Sequence, residues 1–256
     1  MILILGGTSD SIMIANMIMR FSDNLILSTA TEYGKEVASK RFDGTIIHGK
    51  MDDVKLSKYC MDRGIRMVID ATHPYAKQVS ENAIKTCKDI NIEYIRYERP
   101  LIEKDEEKYI YCYSYEEAGK IIDGLQGNAL ITTGSKDIEH ILHEIKDKYR
   151  AYIRVLPQSG NLERLERLYV LPDQIIAMKG PFSKELNVAI MNSIDCKIMV
   201  TKESGSRGMI QEKLQAADEC NVKVIVIGRP KIDYPKVFSV TDDMIEYIKE
   251  KAYGNK

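Results

Sequence analysis

The chain has 256 residues, a formal net charge of -1, 44% hydrophobic and 29% charged residues, enough for one large core or two compact halves. Interspersed charges of near-zero sum exclude a nucleic-acid footprint, which needs clustered Lys and Arg against phosphates, and no run approaches the ~18 apolar residues of a bilayer span. Met1 opens directly onto "ILILGG" with no charged leader, and the five cysteines (Cys60, Cys87, Cys112, Cys196, Cys220) are scattered and never form CxxC. The expectation is a cytoplasmic protein with reduced, mostly buried thiols, no metal site and no nucleic-acid or membrane partner, a monomer or weak homo-oligomer.

In chain order, short apolar runs stand at "ILIL" (2–5), "LILSTA" (25–30), "TIIHG" (45–49), "MVIDAT" (67–72) and "IEYIRY" (92–97). Helical spacing fills most of the gaps. In "DSIMIANMIMRF" Ile14, Met17, Ile18 and Phe21 share a face, and in "KQVSENAIKTCKDI" Val79, Ala83, Ile84 and Cys87 do the same. Strands that read as continuous apolar runs and alternate with helices predict a parallel sheet covered on both faces.

Pro100 and the charges of "RYERPLIEKDEEKY" mark a crossover, after which the pattern restarts at "NALITTG" (128–134), "RAYIRVL" (150–156), "QIIAMKG" (174–180), "KIMVTKE" (197–203) and "KVIVIG" (223–228). The helical segments here include "SKDIEHILHEI" and "MIQEKLQAADEC". "LILGGTSDSI" and "LITTGSKDIEHI" repeat the order strand, glycine, small polar residue, aspartate, helix. The predicted fold is α/β, with two Rossmann-like domains, 1–100 and 108–256, each a parallel sheet flanked by helices. The active site is expected in a cleft between them, at the carboxyl ends of the strands.

Gly6, Gly7, Thr8 and Ser9 turn from the first strand into the first helix, where backbone N–H groups suit a pyrophosphate. Against the G-x-G-x-x-G pattern, Thr8 and Ser11 replace the second and third glycines. The end of the second strand, Ser28, Thr29, Ala30 and Thr31, is placed to meet the adenosine ribose. Glu32 there suits the free hydroxyls of NADH, whereas Ser28, Thr29, Thr31 and Lys35 suit the 2′-phosphate of NADPH. In "VIDATHPYAKQVS", Asp70, Ala71 and Thr72 end a strand, Thr72 is positioned to cap a helix entered at Pro74, and His73 and Tyr75 project from the ligand-bearing edge. In the second half Lys136, Arg154, Lys179, Lys202, Arg207 and Arg229, with Ser204 and Ser206, gather cations and donors near strand ends, as an anionic ligand requires.

With these pieces in order, the sequence resembles the precorrin-6A reductase family of cobalamin biosynthesis. The resemblance spans nearly the whole chain: "ILGGTSD", "DATHPYA" (70–76), "RYERP" (96–100), "TTGSKD" (132–137), "KGPFS" (179–183), "TKESGSRG" (201–208) and "VIVIGRP" (224–230). Asp10 stands where the family often has glutamate, and Met209 where a second glycine is expected. The resemblance implies NADPH- or NADH-dependent reduction of one carbon–carbon double bond of precorrin-6A, or of its cobalt-loaded form, to the corresponding precorrin-6B.

On that reading Gly6, Gly7, Thr8, Ser9, Ser28 to Thr31 and Asp70 to Thr72 hold the dinucleotide. Lys136, Arg154, Lys202, Ser204, Ser206 and Arg207 grip the acetate and propionate arms of the tetrapyrrole, and His73 and Tyr75 are the candidate proton donors. A short-chain reductase would need a mid-chain Tyr-x-x-x-Lys pair. The spacing occurs at Tyr247 and Lys251, too late in the chain to serve. A non-enzymatic dinucleotide-sensing module is the alternative from another class.

Overall fold

Parallel strands of four or five apolar residues cannot pair directly along the chain, so each must be joined to the next by a crossover that covers a sheet face. In a computed structural model, which describes residues 1–101, 103–205 and 210–253, the chain does this twice. The first sheet is built from β1 (Ile2–Leu5), β2 (Leu25–Thr29), β3 (Thr45–His48), β4 (Met67–Asp70), β5 (Glu93–Tyr97) and β12 (Val237–Phe238), in the order β12-β5-β4-β1-β2-β3. The second contains β6 (Ile110–Cys112), β7 (Asn128–Ile131), β8 (Ala151–Val155), β9 (Ile175–Ala177), β10 (Cys196–Lys202) and β11 (Lys223–Ile227), in the order β6-β11-β10-β7-β8-β9. All pairings are parallel.

Alternation along the strands sorts the first core into two layers. Ile2, Ile4, Leu25, Leu27, Met67, Ile69 and Ile95 pack with Ile14, Ala15 and Ile18 of α1 (Ser9–Met19) and with Met244, Ile245 and Ile248 of α10 (Thr241–Tyr253). Leu3, Leu5, Ile26, Val68 and Tyr94 face the other way, onto Leu56 and Cys60 of α3 (Asp53–Asp62) and Ala83 and Cys87 of α4 (Lys77–Asp89). In the second unit Leu130, Met199, Val224 and Val226 pack with Ile190 and Met191 of α8 (Lys184–Ser193) and with Leu214, Ala216 and Ala217 of α9 (Ile210–Glu219). Four cysteines lie in these interiors, and burial pushes the thiols of Cys60 and Cys196 up to about 11 and those of Cys87 and Cys112 to about 12.

The ten strands expected from the apolar runs all form. Two others, β6 and β12, are too short to show a pattern. They also correct the expected domain limits, because the second unit spans Leu101–Arg229 and the chain from Pro230 onward belongs with Met1–Pro100. The physical reason is that β12 pairs with β5, with Val237 opposite Arg96, and that Met244 and Ile248 are completely buried in the first core. No described helix is long and apolar enough to cross a membrane.

Truncating Ile248 to alanine should therefore destabilise the first unit by about 2–5 kcal/mol although the residue lies near the end of the chain. Urea unfolding followed by circular dichroism checks this, and an unchanged midpoint would contradict the packing.

Candidate active site

In each sheet the strand order reverses beside the first strand of the winding, between β1 and β4 and between β7 and β10. The loops leaving these strands border the place where open parallel sheets bind ligands.

In the first unit, Gly6 and Gly7 have different tasks. A Cβ on Gly6 would meet Ser11 Oγ at 2.8 Å, Leu27 Cδ1 at 2.9 Å and the Ser28 carbonyl at 3.0 Å, so only a bare backbone passes. Gly7 has φ +106°, unfavourable for a side chain, and a Cβ there would meet nothing within 4 Å. That open space beside the exposed start of α1 fits a pyrophosphate.

Thr8 caps α1. Its Oγ1 accepts from Ser11 N at 3.1 Å, Ser11 Oγ donates to the Thr8 carbonyl at 2.7 Å, and Thr8 Oγ1 donates across to the Ala71 carbonyl at 2.8 Å. The residues at the two missing glycine positions thus build a capping box and a clasp to the neighbouring loop. Ser9 is exposed. Asp10 is 2% exposed and ion-paired with buried Arg99, which gives the acid of "GGTSD" and the second arginine of "RYERP" a common purpose.

At the end of β2, Ser28 and Thr29 are buried, and Thr29 Oγ1 donates to the Thr31 carbonyl at 3.1 Å. Thr31 caps α2 (Glu32–Ser39) by accepting from Gly34 N. Ala30, Thr31, Glu32 and Lys35 are exposed, so a ribose can reach both the acidic and the cationic reader.

Asp70 is fully buried, and its carboxylate accepts from five donors. Oδ1 takes Thr72 N at 3.0 Å, Thr72 Oγ1 at 2.6 Å and Arg96 Nη1 at 2.8 Å, while Oδ2 takes Ser80 Oγ at 2.6 Å and Tyr94 OH at 2.9 Å. Burial and the Asp70 charge push the Tyr94 phenol far up, keeping it a donor. Burial opposes the Arg96 cation, but Asp70 and Glu98 more than offset this and hold its pKa above the ordinary value.

The expected helix start is corrected here. Thr72 does not cap a helix: its hydroxyl oxygen accepts from Arg96 Nη1 at 3.2 Å while donating to Asp70, and α4 begins only at Lys77 with no side-chain cap. Pro74 lies instead in a turn closed by Ala76 N donating to the His73 carbonyl at 2.8 Å. His73 is exposed and Tyr75 half-buried, with ring centroids 5.6 Å apart. Tyr75 N donates to His73 Nδ1 at 3.3 Å, so the neutral ring carries its proton on Nε2.

In the second unit, Arg154 on β8 is 6% exposed. Its guanidinium lies 3.9 Å from the Phe182 ring and donates to Asn187 Oδ1 at 2.7 Å. "KGPFS" thereby supplies a lid for a cation, and its Ser183 caps α8. Lys202 is half-buried, 3.7 Å from Asp137 and 5.1 Å from the Tyr115 ring centroid, and burial lowers its pKa. Ser204 is buried near it in sequence; Lys136 and Lys179 are exposed, and Arg229 is buried in an ion pair with Glu203. Ser206, Arg207 and Met209 lie outside the described residues.

A residue not singled out in the sequence joins this group. Lys213 Nζ donates to Thr201 Oγ1 at 3.0 Å, and its pKa falls to about 8, first through burial and then through the neighbouring Arg154 charge, against a weaker upward pull from Glu212. Among the described residues no carboxylate comes within ion-pair distance of Arg154 or Lys213. The signal was present in the helical spacing, since Lys213 takes the i+3 place in the stripe Ile210, Leu214, Ala217, whose other members are buried.

The chain is similar to known proteins over nearly its whole length. A family model described as "Precorrin-6x reductase CbiJ/CobK" matches residues 1–249. The chain is 37% identical over 250 residues to a cobalt-precorrin-6A reductase of Methanocaldococcus jannaschii, covering 96% of this chain and 97% of that one. It is 38% identical over 248 residues to a cobalt-precorrin-6A reductase of Methanococcus maripaludis, covering 95% and 97%. A solved structure named CobK precorrin-6A reductase shares the fold, with a TM-score of 0.80 at 21% identity over 97% of this chain and 96% of that one.

Lys213 predicts a pH dependence of stability. Between its folded pKa of about 8 and its ordinary 10.5 the unfolded chain binds more protons, so the penalty for burying the ammonium is present below pH 8 and relieved as pH rises. Replacing Lys213 with methionine should stabilise the protein at pH 7 and shrink that gain toward pH 10.5, measured by urea unfolding across pH. A constant difference would contradict the assignment.

Proposed function

The chain belongs to the precorrin-6x reductase CbiJ/CobK family, and from that premise we propose that it reduces one carbon–carbon double bond of the cobalt-precorrin-6A macrocycle to give cobalt-precorrin-6B, using NADH or NADPH. The cobalt-loaded ring is favoured over the metal-free one because the two relatives more than a third identical to this chain are named for it, whereas the solved structure at 21% identity is named for precorrin-6A.

The observation that carries the substrate half of this reading is the pairing of Arg154 with Lys213. Among the described residues neither of these neighbouring cations has a carboxylate at ion-pair distance, the Arg154 charge lowers the Lys213 pKa, and the carboxylate arms of the substrate would supply the missing charge. Burial lowers Arg154 to about 10, which leaves it charged at neutral pH. Lys136, Lys202 and Ser204 extend the grip, with Ser206 and Arg207 assigned from the sequence alone.

In the first unit the amides at Gly6, Gly7 and Ser9 hold the pyrophosphate, Thr8 fixes their loop against Ala71, and Ser28 to Thr31 with Glu32 border the ribose. The dihydronicotinamide, when bound, supplies the hydride. Asp70 keeps the Ala71 and Thr72 backbone in place, and His73 or Tyr75 delivers the proton required at the neighbouring ring carbon. To act as that acid His73 has to take up a proton first, because only the imidazolium, and not the neutral ring that accepts from Tyr75 N, gives one up readily.

Anaerobic oxidation of NADH and NADPH, followed at the nicotinamide band with precorrin-6A and its cobalt form in turn, tests the reading. Oxidation should depend on the cobalt-loaded ring and choose the cofactor. His73→Ala should lower kcat about 100-fold if the imidazole is the acid. Lys213→Met should raise KM for the ring with a smaller effect on kcat, and in the unaltered protein that KM should rise above about pH 8 as the amine loses its proton. Dinucleotide binding without oxidation in any pairing would instead describe a sensing module.

A further inference from the structure

Thr72 is the joint between the buried ion pair and the loop that carries His73. Its hydroxyl donates to Asp70 Oδ1 at 2.6 Å and accepts from Arg96 Nη1 at 3.2 Å, while its N–H donates to the same Asp70 oxygen at 3.0 Å. One small side chain therefore touches both halves of a pair in which each member is at most 1% exposed. Arg96 is itself fixed, by Glu98 at 2.7 Å and by the ring of Tyr234, whose centroid lies 5.3 Å away. On the other side of Thr72, the Ala71 carbonyl is held by Thr8 Oγ1 and the His73 carbonyl by Ala76 N. The backbone from Asp70 to Ala76 is thus tied at successive points, and the tie nearest His73 on its N-terminal side is Thr72.

We infer that Thr72 is a positioning residue that sets the orientation of the His73 imidazole through the Asp70–Arg96 pair, and that it does so without itself binding the dinucleotide through its hydroxyl. A hydroxyl already donating to a carboxylate and accepting from a guanidinium has little capacity left for a ligand. The functional weight of the inference rests on the place of His73 in the site proposed above, but its structural content does not.

The test uses the full chain and four variants. The His73 ring resonance is identified in a ¹H–¹³C spectrum as the one of four histidine signals lost in His73→Ala. Thr72→Val keeps the shape and removes the hydroxyl; Thr72→Ser restores it; Tyr94→Phe removes a different donor from Asp70 and leaves Thr72 intact. The expected result is that Thr72→Val shifts the His73 resonance and lowers kcat about tenfold, with little change in dinucleotide affinity, and that Thr72→Ser restores both. Tyr94→Phe lowers the melting temperature but leaves the His73 resonance in place.

The inference is overturned if Thr72→Val loses stability while the His73 signal stays where it was, or if Tyr94→Phe moves that signal equally, which would reduce the effect to general loosening. A large loss of dinucleotide affinity with an unmoved His73 signal would make Thr72 a ligand instead. Should Thr72→Val not fold, Thr72→Ser and Tyr94→Phe still decide, since the serine protein must then match the original signal and the phenylalanine protein must not displace it. If the unaltered enzyme turned over no tetrapyrrole, the proposed function would fail while the resonance shifts still judged this inference.

Discussion

A carboxylate with no access to water governs the carboxyl edge of the sheet in the first unit. Removing Asp70 from solvent is costly unless every lone pair is met, and five donors from the loop after β4, from α4 and from β5 meet it. Such a pair adds little net stability compared with apolar packing, but losing one partner typically costs about 3–5 kcal/mol. What the arrangement contributes is fixation: Asp70 ties down the backbone of the loop after β4 at Thr72, and the clasp from Thr8 binds the loop after β1 to it.

The same device recurs. Arg99, just before Pro100 and after β5, pairs with Asp10 in the first turn of α1; Arg229, just before Pro230 and after β11, pairs with Glu203 after β10. Both arginines follow the fifth strand of their winding and reach back to an acid at the carboxyl edge of their sheet. The acids and arginines in "GGTSD", "DATHPYA", "RYERP", "TKESG" and "IGRP" are therefore largely internal clamps. The second unit differs in that, among the described residues, no acid forms an ion pair with Arg154 or Lys213, although Glu212 acts on the lysine from a distance. Two windings with one architecture thus present different chemistry, a glycine turn into an exposed helix start in one and cations without ion-paired acids among the described residues in the other.

Much of this was legible in the sequence because it depends on period and punctuation. Ten strands appeared as apolar runs, and Gly6, Gly7 and the break at Pro100 stood where the chain turns or crosses. The strands β6 and β12 were not legible, since two or three residues carry no period and their membership depends on pairing with remote partners. The helix after β4 was misread at its start because Thr72 had the right chemistry for a cap, and only the fold reveals that its oxygen accepts from Arg96 and that the helix starts five residues later. Asp70 was expected to face a ligand; a sequence cannot tell whether an acid at a strand end looks outward or is consumed by an arginine 26 positions later. Lys213 was readable from its place on an apolar helical stripe, a lysine where the spacing calls for a buried residue.

The claim on which the account turns is that the first unit holds the dinucleotide. Amide hydrogen exchange of the whole chain with and without NADH and NADPH tests it most directly. The account predicts slowed exchange in 5–11, 28–32 and 70–76, with 128–137 and 178–183 unchanged by the dinucleotide alone. Protection confined to the second unit would contradict it.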